Sequence, residues 1–181
     1  AIGDEILARI DAWMTENVDA DAIDRNEEIP AHVLKGLAEL GLFGIKIPKE
    51  YGGLGLSQTN YMRILGLLGT HCGSISATLS AHQSIGVPQP LKLFGTPEQK
   101  KKYLPRLAKG EISAFGLTEH TVGSDPANME TRAELSDDGE HWILNGEKLW
   151  CTNGVIADLI VVMARTPDKM VRGKMRKQIT A

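Results

Sequence analysis

Met129-Glu130-Thr131-Arg132-Ala133-Glu134-Leu135 decides the fold class. Met129, Thr131, Ala133 and Leu135 alternate with Glu130, Arg132 and Glu134, the period of a strand with one buried face. Before Gly110 the apolar residues recur at helical spacing instead. The chain is therefore expected to be α+β, with an all-helical N-terminal domain over 1–112 and the beginning of an antiparallel β-barrel-like domain over 113–181.

Toward the C-terminus, Ser136-Asp137-Asp138-Gly139 reads as a turn and Trp142-Ile143-Leu144 as the next strand. Asn145-Gly146, which tolerates positive φ, is expected to form a tight hairpin. Asn153-Gly154 leads into the apolar run from Leu159 to Ala164, and Lys177-Gln178-Ile179-Thr180-Ala181 reads as the opening of a further strand. A domain is not expected to stop on an unpaired sheet edge, so the chain is read as truncated, with its second domain continuing past Ala181.

Toward the N-terminus, Ile6, Leu7, Ile10, Trp13 and Met14 form one stripe of a helix over 4–18. A second helix starts at Pro30, carries Val33, Leu34, Leu37 and Leu40, and stops at Gly41. Ser57 caps a third, bearing Tyr61, Ile64, Leu65 and Leu68, and a fourth covers about 74–86. Thr96-Pro97-Glu98-Gln99 opens a fifth with a capping box, and Pro105 is expected to bend it or end it early.

The 181 residues are 42% hydrophobic and 24% charged, enough apolar content for a folded core. A net charge of −3 gives no general reason to seek nucleic acid or anionic lipid. Cys72 and Cys151 match neither a metal clip nor a disulfide framework and are read as reduced thiols. There is no transmembrane run and no signal peptide, which fits a bacterial cytoplasmic protein or an organellar one after processing.

Two stretches carry chemistry. Phe115-Gly116-Leu117-Thr118-Glu119-His120-Thr121-Val122-Gly123-Ser124-Asp125-Pro126 passes from a strand into a polar loop whose successive N–H groups, with the Ser124 hydroxyl, can hold an anion such as a cofactor pyrophosphate. The competing reading is a plain strand-end turn in which Ser124 and Asp125 cap local backbone. In Asn145-Gly146-Glu147-Lys148-Leu149-Trp150-Cys151-Thr152-Asn153-Gly154, Trp150 and Thr152 are two apart and, on a strand, would point the same way. An indole beside a hydroxyl can pack on a flat conjugated ring and bond its edge; the competing reading is a core tryptophan beside a structural threonine.

Taken together, Leu117-Thr118-Glu119, Gly123-Ser124-Asp125 and Leu144 to Gly154 resemble the flavin-binding signatures of the acyl-CoA dehydrogenase family. The resemblance extends through Pro48-Lys49-Glu50-Tyr51-Gly52-Gly53-Leu54-Gly55 and Phe94-Gly95-Thr96-Pro97-Glu98-Gln99, on to Lys100-Lys101-Lys102-Tyr103-Leu104-Pro105. Ala81-His82-Gln83-Ser84-Ile85-Gly86 and the late Lys177 to Ala181 are most similar to its very-long-chain branch.

The resemblance implies FAD as cofactor, bound by Phe115, Leu117, Thr118, Gly123, Ser124, Trp150 and Thr152. Leu117 and Thr118 would lie near the flavin pyrimidine, Trp150 would cover the ring, and Thr152 would bond near N5. Ser124 would sit where the cofactor phosphates and the bound acyl-CoA meet, so it is also a substrate-binding candidate. The implied reaction is α,β-dehydrogenation of a long-chain fatty acyl-CoA to trans-2-enoyl-CoA, with electrons passing to an electron-transfer flavoprotein. The implied base is a glutamate of a later helical domain, so Glu119 is not assigned that role. A homodimer or homotetramer is implied, as is a cofactor site completed by a C-terminal domain and a neighbouring subunit. His120 stands where the family often has proline, and Cys151 where isoleucine is frequent.

A flavin monooxygenase or nitroalkane oxidase of the same fold is one alternative, and an inactive homologue serving as a binding or assembly subunit is another. Gly52-Gly53-Leu54-Gly55 lacks phosphate-loop spacing and reads as a turn. His82 reads as a helix-surface or packing histidine, with no metal role. Lys169, Arg172, Lys174, Arg176 and Lys177 read as a solvated hairpin loop.

Overall fold

In the computed structural model, which describes residues 2–181, the helices come first and the strands after. Helix α1 (Ile2–Asn17) buries Ile10 and Met14 completely, and Ile6, Leu7 and Trp13 pack on the same core. Helix α2 (Ala20–Asn26) is unexpected from the sequence. Asp19 caps it by accepting from the Ala22 N–H, and Glu27, at φ 53°, stops it. Its seven residues bury only Ile23, too few to write a stripe.

Helix α3 (Ala31–Glu39) buries Val33, Gly36 and Leu37. Pro30 is its cap rather than its first helical residue. A Cβ on Gly36 would lie 2.0 Å from Trp13 Cζ2, so α1 and α3 approach at a glycine. Gly41, at φ 80°, turns the chain away, as expected. Ser57 caps α4 (Gln58–His71) by accepting from the Asn60 N–H. Helix α5 (Gly73–Ser80) runs into a single π turn, Ala81–Ile85.

The short α6 (Pro88–Phe94) was not expected. Helix α7 (Pro97–Ala108) carries the full capping box. It continues past Pro105 to Ala108, because a proline in the last turn forfeits only one helical hydrogen bond. The 52–55 segment is a turn: the Gly53 and Gly55 N–H groups are spent on the Pro48 and Ile47 carbonyls, leaving neither for a phosphate.

Strand β1 (Ser113–Gly116) pairs parallel with β4 (Leu159–Val162). Strands β2 (Arg132–Leu135) and β3 (Trp142–Asn145) form an antiparallel hairpin, as do β5 (Ala164–Val171) and β6 (Lys174–Thr180). A parallel bridge between Arg132 and Arg165 joins the hairpins in the order β3-β2-β5-β6. Helices followed by sheet is the expected class, and the two hairpins are antiparallel as expected; β1 and β4 are parallel because a long crossover separates them.

Three local expectations are corrected. The β2–β3 hairpin closes between Ser136 and His141, whereas Asn145-Gly146 ends β3 and, with Gly146 at φ 151°, leads the chain away. Strand β2 begins at Arg132, since Thr131 and Met129 are drawn under the preceding loop. Residues 146–158 contain no strand, so Trp150 and Thr152 are not strand residues. The basic residues from Lys169 to Lys177 do lie on an exposed hairpin, turned by Arg172 and Gly173 at φ 52° and 76°. Both cysteines are free, and among the described residues no helix is long and apolar enough to cross a membrane.

Candidate cofactor cleft

The two chemistry-bearing stretches lie side by side. Leaving β1, the chain offers the Thr118 carbonyl to the Leu149 N–H at 2.8 Å and the Leu117 carbonyl to Lys148 Nζ at 3.1 Å. The Cys151 thiol donates to the Phe115 carbonyl at 3.5 Å. A hydrogen-bonded seam thus joins 115–118 to 148–151 without any β ladder.

Glu119 anchors the seam. Its side chain is 6% exposed, and that of Lys148 is 12% exposed, with Nζ 2.6 Å from Oε1. The same carboxylate accepts the Thr131 N–H at 3.0 Å and the Glu130 N–H at 2.6 Å. Burial alone would push this carboxyl upward, but the bonds from Lys148, Thr131 and Glu130 outweigh it and hold the group at about 2. A carboxylate committed to three donors is a strut between loop and sheet, and it does not serve as a base. Just beyond it, Glu119 and Val122 exchange backbone bonds around His120 and Thr121, a two-residue turn that leaves His120 exposed.

Trp150 is the anomaly. It sits at φ 55°, in the left-handed region that bulky residues rarely enter, and the residue is 87% exposed in this chain. The pleat argument that aligned it with Thr152 fails, because tight turns replace the strand: the Thr152 N–H bonds the Trp150 carbonyl at 3.1 Å and the Gly154 N–H bonds the Cys151 carbonyl at 2.8 Å. The core-tryptophan reading fails with it.

The hydroxyls of Thr118, Ser124 and Thr152 have no hydrogen-bond partner among the described residues, and neither do the N–H groups of Gly123, Ser124 and Asp125. A Cβ on Gly123 would meet nothing within 4 Å, so nothing in the chain itself requires glycine there. Phe115 and Leu117 are half-buried at the base of the seam. A cavity of about 590 Å³ opens against Thr152 and Asn153 and is lined as well by Ile23, Ile29, Leu34 and Thr78 and by the carboxylates of Asp24, Glu27 and Glu28. The structure thus brings Phe115, Leu117, Thr118 and Trp150 to one seam, with Thr152 just past its end at the cavity and Gly123 and Ser124 on the loop that Glu119 holds. The Glu119–Lys148 pair was missed; its only sequence signal is one acid and one base inside the two recognisable stretches.

Residues 4–111 match the model of the acyl-CoA dehydrogenase N-terminal domain, and residues 114–180 match that of the middle domain. The chain is 60% identical over 152 residues to a probable acyl-CoA dehydrogenase, FadE10, of Mycobacterium tuberculosis, covering 84% of this chain and 23% of that one. It is 42% identical over 179 residues to the mitochondrial very long-chain specific acyl-CoA dehydrogenase of Homo sapiens, covering 98% and 27%. The chain therefore spans about a quarter of the length of the curated relatives it matches. Among solved structures, an FAD-complexed acyl-CoA dehydrogenase from Bacillus anthracis superposes with a TM-score of 0.81 at 35% identity, covering 98% of this chain and 30% of that one. Butyryl-CoA dehydrogenase from Megasphaera elsdenii gives 0.82 at 30%, covering 99% and 48%.

Proposed function

Because the chain belongs to the acyl-CoA dehydrogenase family, we propose that the whole protein is an FAD-dependent oxidoreductase acting on a long-chain fatty acyl-CoA. The product would be the trans-2-enoyl-CoA, with electrons leaving to an electron-transfer flavoprotein. One observation carries the reading: an indole held at positive φ at the end of a seam that the Glu119–Lys148 pair clamps. Folding alone does not reward that strain on a bulky residue.

The donor set fits FAD. Trp150 offers a flat apolar face to the isoalloxazine, and Thr118 and Thr152 offer hydroxyls to its polar edges. Phe115 and Leu117 supply the apolar base, while the free N–H groups of Gly123, Ser124 and Asp125 with the Ser124 hydroxyl suit a pyrophosphate. When bound, FAD supplies the two-electron acceptor that the side chains here lack. The chain's own residues then bind, orient and exclude water: Trp150 shields, Thr152 holds a proton at the ring edge, and Glu119 with Lys148 keeps the two stretches in register.

Ile23, Ile29, Leu34 and Ile156, which share the lining of the 590 Å³ cavity beside Thr152 with Asp24, Glu27 and Glu28, offer partly apolar ground for an acyl chain. Likeness to a very long-chain specific relative supports a long one. Under this reading Ser124 also faces the acyl-CoA, the division into 1–112 and 113–181 separates helical and sheet domains, and the protein works as a homodimer or homotetramer. None of the described residues takes the part of the α-proton base under this reading.

Anaerobic titration of the whole protein with acyl-CoAs of increasing chain length tests the reading. Bleaching of the flavin absorbance, strongest for long chains, is expected. A flavin bleached by a nitroalkane or a nicotinamide but by no acyl-CoA would overturn the reading of the reaction, and a protein that cannot be loaded with FAD would overturn the reading of the cofactor.

A further inference from the structure

His82, which the cleft does not touch, is completely buried in the π turn between α5 and α6. Its Nε2 lies 2.9 Å from the Phe43 carbonyl, which can only accept, so Nε2 carries the proton. Its Nδ1 lies 3.0 Å from the Ser113 backbone N–H, which can only donate, so Nδ1 is bare. One neutral tautomer is thus satisfied at both ends. The Ser113 hydroxyl lies 2.9 Å from the same nitrogen and accepts the Val87 N–H at 3.1 Å.

The network continues across the strand. The Ser113 carbonyl accepts from Asn153 Nδ2 at 3.2 Å, and the same amide donates to the Thr78 carbonyl at 3.0 Å. Asn153 sits at φ 67°, where asparagine is tolerated, directly after Thr152. Gly86 lets the turn approach this closely, since a Cβ there would lie 2.3 Å from the Ser113 hydroxyl oxygen and 2.6 Å from the His82 carbonyl.

We propose that His82 is a positioning residue for the flavin cleft: by fixing Ser113 at the start of β1 it sets the strand bearing Phe115 and, through Asn153, sets Thr152 against it. The inference rests on the flavin reading above. A core histidine serving only as filler would need no second route to the cleft. An apolar side chain of similar bulk would strand the buried Ser113 N–H, whereas the Phe43 carbonyl would keep the Gln83 amide as its donor. The π turn points the same way, because such turns give up regular helical bonding to re-aim particular side chains.

The test uses the whole protein loaded with FAD and reads visible circular dichroism, which follows the seating of the ring, together with the flavin dissociation constant and thermal unfolding of the flavin-free form. His82→Leu is expected to weaken flavin binding about 10-fold, one lost buried bond's worth, and to alter the visible bands. His82→Gln, which keeps a donor and an acceptor, is expected to restore them in large part. Asn153→Gly, comfortable at the same φ, is expected to give the same spectral change with His82 intact.

Wild-type bands and affinity in His82→Leu, whatever its melting temperature, would overturn the proposal. Should that variant not fold, unchanged bands in Asn153→Gly would overturn it. A wild-type protein that takes up no flavin would instead overturn the cofactor reading itself.

Discussion

Replacing Lys148 by methionine removes one charge from the strut and leaves the other buried. In the native chain Glu119 is met by Nζ at 2.6 Å and by two backbone N–H groups, in a side chain only 6% exposed. The carboxyl is held at about 2 against an ordinary 4.5, so the environment favours its charged form by about 3 kcal/mol even after the cost of burial. Breaking a buried pair by removing one partner costs about 3–5 kcal/mol, because the survivor keeps its desolvation cost. Lys148→Met and Glu119→Gln are each expected to lower the opening free energy of the 117–131 loop by about that much.

The double variant carries no buried charge and is expected to be more stable than the sum of the singles implies, by at least about 2 kcal/mol. Amide hydrogen exchange at Glu130 and Thr131, whose N–H groups bond the carboxylate directly, reads the opening locally. The sign with pH is fixed as well. A depressed carboxyl contributes stability that is complete above 4.5 and disappears as pH falls toward 2, and in Lys148→Met, which removes a group holding the folded carboxyl down, this acid-dependent loss should be smaller and end at higher pH. Additive singles, with a coupling below about 0.5 kcal/mol, would refute the reasoning and reduce the pair to a screened surface contact.

Thr152→Ala is expected to weaken flavin binding or slow flavin reduction by about 2- to 12-fold, the worth of one hydrogen bond, as measured by flavin titration and stopped-flow absorbance. Trp150→Gly relieves an unfavourable φ and removes an exposed indole, so the flavin-free protein should melt no lower than wild type while its flavin affinity falls; calorimetry with and without FAD separates the two effects. Burial holds the His82 imidazole at about 4, only partly offset by its bond to the Phe43 carbonyl, against an ordinary 6.5. Its neutral form is the native one, so stability should fall by about 3 kcal/mol as pH drops from 6.5 to 4, and the slope should be absent in His82→Gln denaturation curves. Gly36→Ala forces a methyl into the Trp13 ring and should cost about 1–3 kcal/mol in thermal or urea unfolding.

What the sequence spelled out was local. The Thr96 capping box, the Ser57 cap and the stop at Gly41 each depend on residues within one turn, and each stands as expected. Helices α2 and α6 escaped because seven residues hold about two turns, too little for a stripe to declare itself. Period-two reasoning misled at Trp150 and Thr152, where positive φ at Trp150 and Asn153 breaks the pleat without any change in residue pattern. The β1–β4 pairing, the Glu119–Lys148 strut and the His82–Ser113 bond join residues 29 or more positions apart, beyond the reach of any local period. The cleft residues themselves were legible through resemblance; composition and spacing alone favoured an ordinary turn and a core tryptophan.

Hydroxyl-radical footprinting of the whole protein with and without FAD tests most directly whether one isoalloxazine is gripped by both stretches. Trp150, exposed in the chain alone, and Leu117, across the seam, should lose reactivity together on adding FAD, while Trp142 on β3, away from the seam, keeps its own. Protection of Leu117 with Trp150 oxidised as fast as before, or no protection of either in a protein that has taken up flavin, would contradict it.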